Sequence, residues 1–586
     1  MTEKRKRMKK SVVILRLLGY LWKYKGWLCF AGFLVFAANL IALKGPELSG
    51  KAIDAIVGKG NVDFPLVYRY AFQMLLVYLI SAALSYLLAL VMIHISKKVV
   101  YIMRRQVFEH LIDLPVDYFD KNPIGDLISR LTYDIDTINA SLSNDLLQIC
   151  AGTITVVGCT IQMVRIAPIL MLVFLVTIPC LIIFTIIRVK KVRPLFRRRS
   201  AKLGELNGYA EEMLSGQKTI RAYGKEEVMI ERFETHNVEA VDAFYKADYQ
   251  GSIVGPSVNF INNISMSLIS LFGALLYLRG SLSLGNLSAF ILYSRRFSGP
   301  INETANIISE IQSATSAAER VFHLLDEKVE EKQKENDLSL EQVEGNVELT
   351  NVSFGYTEEK EVLHDINLVI PKGSTVAIVG PTGGGKTTLI SLLMRFYDPK
   401  TGEIRIDGHN TYHRNMDDVR RSFAMVLQDT WLFGGTIREN LLYGNPKADE
   451  QALQNAVKAV HLEDYIESLP DGYDTILNEN GGNISKGQKQ LITIARAMLV
   501  EAPMLILDEA TSNVDSRTEL KLQEAMNAIT QNKTCVIVAH RLSTVQNADK
   551  ILVIRNGCIV EAGNHQELLL RKGFYAELYN SQFEFM

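Results

Sequence analysis

The sequence predicts a multi-domain chain: an all-α domain of six membrane-crossing helices, followed by an α/β domain with a mainly parallel sheet. Three observations predict this. The 586 residues exceed what a single hydrophobic core usually holds. The first half contains six apolar stretches long enough to cross a bilayer, and from residue 346 short β-rich runs alternate with helical patterns. The expected boundaries are 1–325 for the membrane domain, 326–344 for a linker and 345–586 for the second domain.

A helix needs about 20 mostly apolar residues to cross a hydrocarbon layer about 30 Å thick. The stretches that meet this are about 26–45, 68–94, 143–164, 168–189, 253–278 and 284–306. The first follows a basic run, as in a signal peptide, but it is long, lacks a clean small-x-small cleavage pattern and is followed by more spans, so a retained helix is expected. The third and fourth are joined by Arg165-Ile166-Ala167-Pro168 alone and should form a tight hairpin. Lys and Arg crowd the N-terminal arm and the 97–142 and 188–250 loops but are sparse in 46–65, 165–167 and 279–283. By the positive-inside rule both termini and the second domain are cytoplasmic, with the spans in the plasma membrane.

The two basic loops, 96–142 and 189–250, are rich in helix formers with apolar residues at helical spacing. The spans are therefore expected to run on as helical arms beyond the membrane. Breaks at Pro123-Ile124-Gly125 and Ala222-Tyr223-Gly224-Lys225 would turn each arm through a short transverse helix. At membrane depth, Asn259, Asn262, Asn263, Arg295 and Arg296 are costly unless they face a cavity or a partner group. Two readings stay open: a lining for a translocation path, or bonds to neighbouring helices and reach to an interface.

Residues 326–344 are charged and poor in apolar side chains, which is linker composition. Beyond them, Gly380-Pro381-Thr382-Gly383-Gly384-Gly385-Lys386-Thr387 matches the phosphate loop GxxxxGK[ST]. Its context is right, since Val376–Val379 reads as a strand before it and Thr388–Leu393 as a helix after it. The glycines let backbone N–H groups converge on phosphate oxygens, Lys386 adds charge for the β and γ phosphates, and Thr387, with Thr388 beside it, can ligate Mg²⁺. About 120 residues on, Met504-Leu505-Ile506-Leu507 is an apolar run ending in Asp508 and Glu509. Asp508 suits a metal and Glu509 a water aimed at the γ-phosphate.

Between these motifs lies Ile484-Ser485-Lys486-Gly487-Gln488, similar to the LSGGQ signature of ATP-binding cassette (ABC) proteins. With Tyr356 in Phe354-Gly355-Tyr356, Gln428 in Val426-Leu427-Gln428-Asp429, Ser512-Asn513-Val514-Asp515 and His540 in Val538-Ala539-His540-Arg541, it forms an ordered set. The chain resembles an ABC exporter half-transporter over nearly its whole length. The resemblance implies an ABC cassette of the P-loop NTPase fold, with Tyr356 stacking on adenine, Gln428 near the metal and nucleophile, and His540 as the switch histidine. It implies Glu509, His540 and Gln428 as catalytic residues. Metal contacts would come from Thr387, Gln428 and Asp508. ATP would be clamped between the phosphate loop of one chain and Ser485, Gly487 and Gln488 of a second. Asn478-Glu479-Asn480-Gly481 would correspond to a loop contacting the transverse helices, or be an ordinary surface turn.

Lys486 stands where the family usually has Gly. In heterodimers of the family a chain with an intact glutamate tends to carry the less regular signature, so a second, different half-transporter is expected ahead of a homodimer. Substrates implied by the resemblance are amphipathic drugs, lipids or peptides, moved by ATP-driven export through alternating access. Import of a metal chelate and an ATP-gated regulatory membrane protein stay open as alternatives. The formal net charge of -1 offers no field for nucleic acid. The six cysteines show neither CxxC pairs nor metal spacing and are expected to be small apolar fillers.

Overall fold

The computed structural model describes residues 8–56, 62–330, 343–428, 430–478, 481–508, 516–539 and 545–583. The chain forms two compact units, Met1–Ile112 with Ile124–Glu327, and Asp113–Pro123 with Lys328–Met586.

The described part of the first unit is helical. Its helices are α1 (Lys10–Trp22), α2 (Lys25–Ala42), α3 (Lys44–Asp54) and α4 (Phe64–Ile112), then, past the excluded 113–123 segment, α6 (Ile124–Ser129), α7 (Ile135–Ala140), α8 (Leu146–Ile166), α9 (Met171–Ser215), α10 (Gln217–Ala222), α11 (Glu226–Ser252), α12 (Val254–Leu278) and α13 (Leu284–Leu325). The segment left to the second unit carries α5 (Val116–Lys121). The expected helical extensions are present: α4 has 49 residues and is about 74 Å long at 1.5 Å per residue. Near each expected break lies a short helix, α5 before Pro123 and α10 before Tyr223-Gly224, where Gly224 adopts a φ of 58°. The hairpin tip is a single turn at Pro168–Leu170 after Ala167.

One expected span is less apolar than the other five. Among the described residues five helical stretches, Lys25–Asp54, Phe64–Ile112, Ile124–Ile166, Pro168–Ser215 and Glu226–Leu278, are long and apolar enough to cross a membrane. The sixth expected span, 284–306, lies on α13, which has the length but carries Arg295, Arg296 and several Ser, Gly and Asn residues. Arg296 donates to the Ala42 carbonyl at 2.6 Å, and Tyr293 donates to the Leu43 carbonyl at 2.6 Å, so α13 satisfies the open carbonyl end of α2. Arg295, Asn259 and Asn263 are exposed, and Asn262 is half-buried. The cysteines also depart from expectation: Cys159 and Cys535 are buried, whereas Cys29, Cys150, Cys180 and Cys558 are exposed, the first three on long apolar helices.

Packing in this unit runs α2 on α4, α13 on α8 and α3, and α9 on α11 and α12. Where α3 meets α13, Asp54 accepts from the Gly285 N–H and the Ser283 hydroxyl, both at 2.7 Å, and so caps the start of α13. A side chain at Gly285 would strike Asp54 and the Gly50 carbonyl, which is why glycine stands there. Further along α13, Arg320 holds Asp134 with two hydrogen bonds of 2.8 and 2.5 Å. Asp134 is 2% exposed and lies in the π-helical turn Arg130–Asp134. Arg320→Ala leaves that carboxylate buried and uncompensated, at a cost of about 2 kcal/mol once the half-exposed arginine is discounted for solvent screening. A thermal-shift assay should show the melting midpoint falling by several degrees, with Arg320→Lys recovering part of it; an unchanged midpoint would contradict this role.

Among the described residues the second unit has three sheets. Strands β1 (Val347–Phe354), β2 (Leu363–Ile370), β4 (Thr401–Ile406) and β5 (His409–Asn410) form an antiparallel sheet in the order β2-β1-β4-β5. Strands β3 (Thr375–Val379), β6 (Phe423–Val426), β9 (Met504–Asp508), β10 (Thr534–Val538), β11 (Lys550–Arg555) and β12 (Cys558–Gly563) form the main sheet in the order β12-β11-β3-β10-β9-β6. It is parallel except for β12. A two-stranded sheet pairs β7 (Gly435–Thr436) with β8 (Ile476–Leu477). All residues of β9 and β10 are buried, as expected of parallel strands covered on both faces. In open α/β sheets ligands sit outside the carboxyl ends of the strands. Here β3 runs into the phosphate loop, β9 ends in Asp508, and β6 leads to Gln428 two residues on, so the parallel register delivers all three to one edge.

Candidate functional site

The phosphate loop connects β3 to α14 (Lys386–Leu393). Three of its glycines have backbone angles that a side chain resists: Gly380 at φ 153°, Gly383 at 78° and Gly385 at 103°. A Cβ on Gly385 would also stand 2.7 Å from Leu363, and one on Gly380 would collide with the Ile554 carbonyl. The loop is thus held tight against its neighbours. Lys386 is 5% exposed, and its ammonium donates to the Gly380 and Pro381 carbonyls at 2.9 and 3.0 Å. The charge is therefore held over the mouth of its own loop. Thr382 and Gly383 are exposed, Gly384 and Gly385 buried, and Thr387 presents an exposed hydroxyl in the first turn of α14.

Tyr356, just after β1, is 42% exposed. Its hydroxyl lies 3.1 Å from that of buried Thr388, two residues beyond Lys386. An exposed aromatic face beside the phosphate loop is a platform on which a base can stack. Asp508, 3% exposed at the end of β9, is an acceptor-only group when ionised. The donor set fits ATP with Mg²⁺: a lysine and loop amides for phosphate, with one hydroxyl and one carboxylate for a hard cation that keeps its remaining places for water and phosphate oxygen. Among the described residues no cluster of three or more His, Cys, Asp or Glu could cage a metal by itself. Gln428 is exposed beyond β6. Glu509, Ser512–Asp515 and His540 lie outside the described residues.

The signature residues open the helix Lys486–Met498. Ser485 caps it: its hydroxyl accepts from the Gln488 N–H at 3.2 Å, and the Gln488 side chain accepts from the Ser485 N–H at 2.8 Å. The Ser485 hydroxyl proton and the Gln488 side-chain amide protons are not used by that box, so both remain donors an anion can take. Gly487 is buried and Lys486 exposed at this terminus. Before this helix, the Gly481 N–H donates to the Asn478 carbonyl at 2.8 Å and Gly481 takes a φ of 62°; Glu479 and Asn480 are outside the described residues.

Among the cavities of the first unit are two that sequence reasoning did not locate. One, of about 580 Å³, lies between α8 and α13, with apolar walls and Gln148, Thr155 and Glu303 among its lining. Gln148, Gly152 and Thr155 recur at helical spacing of four and three, a signal that was readable on the third span. Gly152 lets Pro300 approach, since a Cβ there would sit 3.1 Å from it. The other cavity, about 560 Å³ against α9 and α12, is apolar with Arg279 at its edge.

Comparison with known proteins matches residues 28–301 to the family described as ABC transporter transmembrane region, and residues 363–512 to the family described as ABC transporter. The first match takes in most of the sixth expected span. The chain is 40% identical over 573 residues to the uncharacterized ABC transporter ATP-binding protein YfiC of Bacillus subtilis, covering 97% of this chain and 94% of that protein. It is 40% identical over 531 residues to the fatty acid ABC transporter ATP-binding/permease protein of Mycobacterium tuberculosis, covering 91% and 83%. It is 34% identical over 515 residues to the ATP-dependent lipid A-core flippase of Syntrophus aciditrophicus, covering 87% and 85%. A solved structure of a bacterial Atm1-family ABC exporter with ATP bound superposes with a TM-score of 0.78 at 27% identity, covering 95% of this chain and 98% of that one.

Proposed function

This chain belongs to the ABC transporter family and has its exporter fold, which makes it a multi-pass membrane ATPase that drives export as part of a dimer, and we propose that its cargo is a lipid-like amphipath. The observation that carries the cargo class is the cavity between α8 and α13, whose apolar walls suit a hydrocarbon body and whose Gln148, Thr155 and Glu303 suit a polar end. The relatives named for fatty acid and lipid A-core point the same way. Multidrug export is the wider form of this reading. The domain division is 1–325, 326–344 and 345–586, with the cassette and both termini on the cytoplasmic side of the plasma membrane, supported by the basic arms.

Each site residue then has a chemical task. Tyr356 stacks on the base, and the amides and the lysine of 380–388 hold the phosphates. Thr387, Asp508 and Gln428 would hold Mg²⁺, which would supply neutralising charge to the nucleotide's phosphates. Glu509 accepts a hydrogen bond from the attacking water, and His540 contacts the γ-phosphate. Ser485, Gly487 and Gln488 donate to the γ-phosphate held by the partner, so that closing the pair draws the membrane helices together.

The decisive experiment uses inside-out membrane vesicles and a fluorescent fatty acid. ATP-dependent accumulation in the vesicle lumen, abolished in Glu509→Gln, is the expected result; ATP-dependent depletion of the lumen would mean import, and no ATP-dependent flux of fatty acid or phospholipid would remove the lipid class.

The partner is proposed to be a different half-transporter, because Lys486 replaces the usual glycine at a terminus that faces nucleotide. Lys486→Gly should then change the ATPase rate by less than about twofold, since the site it completes would lack a competent partner glutamate. A rise of tenfold or more in phosphate release would indicate a homodimer with two working sites.

A further inference from the structure

Tyr397, four residues past α14, is assigned no role by the nucleotide motifs. Its ring lies edge-on to Tyr356, with centroids 5.1 Å apart and planes at 89°. Phe354 closes the cluster, 5.2 Å from Tyr356 and 5.4 Å from Tyr397. Phe354 is 4% exposed, so the cluster is anchored in the β1 core while Tyr356 keeps an open face. Edge-to-face rings resist independent rotation, because each edge sits in the quadrupole field of its neighbour. Turning Tyr356 therefore disturbs Tyr397.

The other end of Tyr397 is polar. Its hydroxyl donates to the Asp120 carboxylate on α5, a charge-assisted bond across 277 residues of sequence. Burial, the bond to Asp120 and the nearby Asp117 charge all push the phenol's ionisation upward, so it stays a donor. The same segment is held at its start, where the Glu330 N–H donates to the Asp113 carbonyl at 2.8 Å. Glu330 is in turn gripped by both terminal nitrogens of Arg420 at 2.6 Å. Leu114 and Tyr118 are buried here, and the segment 113–123 packs with the second unit. By chain continuity it joins α4 to α6 in the first unit.

We propose that Tyr397 is a positioning residue that links the base bound at Tyr356 to the orientation of α5, so that α5 responds to the nucleobase as well as to the phosphates. This rests on the reading of Tyr356 as the base platform. A purine stacked on the open face of Tyr356 fixes that ring, the edge contact fixes Tyr397, and the hydroxyl fixes Asp120. Linkage makes the effect reciprocal: whatever moves α5 alters affinity for nucleotides that carry a base, and leaves affinity for a bare polyphosphate alone.

The test compares ATP with inorganic tripolyphosphate, which has the phosphates but no base, on the full chain in lipid nanodiscs with its partner chain. Hydrogen exchange of residues 113–123 and nucleotide affinity are measured together. ATP should slow exchange of this segment by about fivefold and tripolyphosphate by less than about twofold. Tyr397→Phe keeps the ring cluster and loses the bond to Asp120. It should bind ATP within about twofold of wild type yet show no ATP-dependent slowing. Asp120→Asn, which keeps an acceptor, should retain part of the response and guards against a folding defect in the first variant. Equal protection by tripolyphosphate, or full ATP-dependent protection in Tyr397→Phe, would overturn the proposal. Absence of ATP binding in the wild type would overturn the base reading with it, and the affinity measurement tells that failure from loss of coupling alone.

Discussion

Lys386→Ala should lower ATP hydrolysis by at least about 100-fold at saturating ATP, equivalent to about 2.7 kcal/mol of barrier, and abolish transport with it. The ammonium is buried and held by the Gly380 and Pro381 carbonyls, so its position is set before nucleotide arrives. A preorganised charge in a water-poor loop acts on developing negative charge without having to be reoriented. Removing it deprives the β and γ oxygens of a cation and leaves two carbonyls facing each other across the loop mouth. The measurement is phosphate release by the dimer in nanodiscs, with binding of a fluorescent ATP analogue read alongside. Hydrolysis within threefold of wild type would dismiss the lysine's assigned task. Lys386→Arg should not rescue, because the wider guanidinium has no room in a site only 5% exposed.

Glu509→Gln should have an effect of similar size on turnover and the opposite effect on occupancy. The amide is nearly isosteric with the carboxylate but cannot take up a proton from water, so hydrolysis is expected to fall by about 100-fold or more while ATP binding persists. Strand β9 is buried along its length and ends in Asp508, the residue before Glu509 in the sequence. Retained ATP should hold the two cassettes together, and size-exclusion or cross-linking measurements should show the closed pair accumulating. If the variant instead lost nucleotide as readily as Lys386→Ala, Glu509 would belong to binding and the water would need another acceptor. In a heterodimer one such substitution suffices to silence turnover, whereas the partner's equivalent change should matter little.

Much of the chain was legible because its signals are local. An apolar run of 20 residues, a glycine pattern between a strand and a helix, and a strand ending in two acids each depend on neighbours within a few positions. That is why the phosphate loop, the β9 carboxylate, the capped signature helix and the long helical arms all appear where their residues stand. The count of apolar spans was less secure. Residues 284–306 are interrupted by Arg295 and Arg296, and composition cannot tell that Arg296 is satisfied by the carbonyl end of α2, some 250 residues earlier. Exposure of Cys29, Cys150 and Cys180 was likewise hidden, since a helix that is apolar all round does not reveal which face its neighbours cover.

By itself, the sequence determined that this protein spans a membrane and carries an ATP-binding cassette. Those properties follow from residue chemistry at short spacing. Only the tertiary structure decided that Asp134 is paired with Arg320, that Tyr397 stands between Tyr356 and Asp120, and that a cavity opens between α8 and α13. The physical reason is that such contacts join residues hundreds of positions apart, and their geometry is set by how whole helices and strands pack.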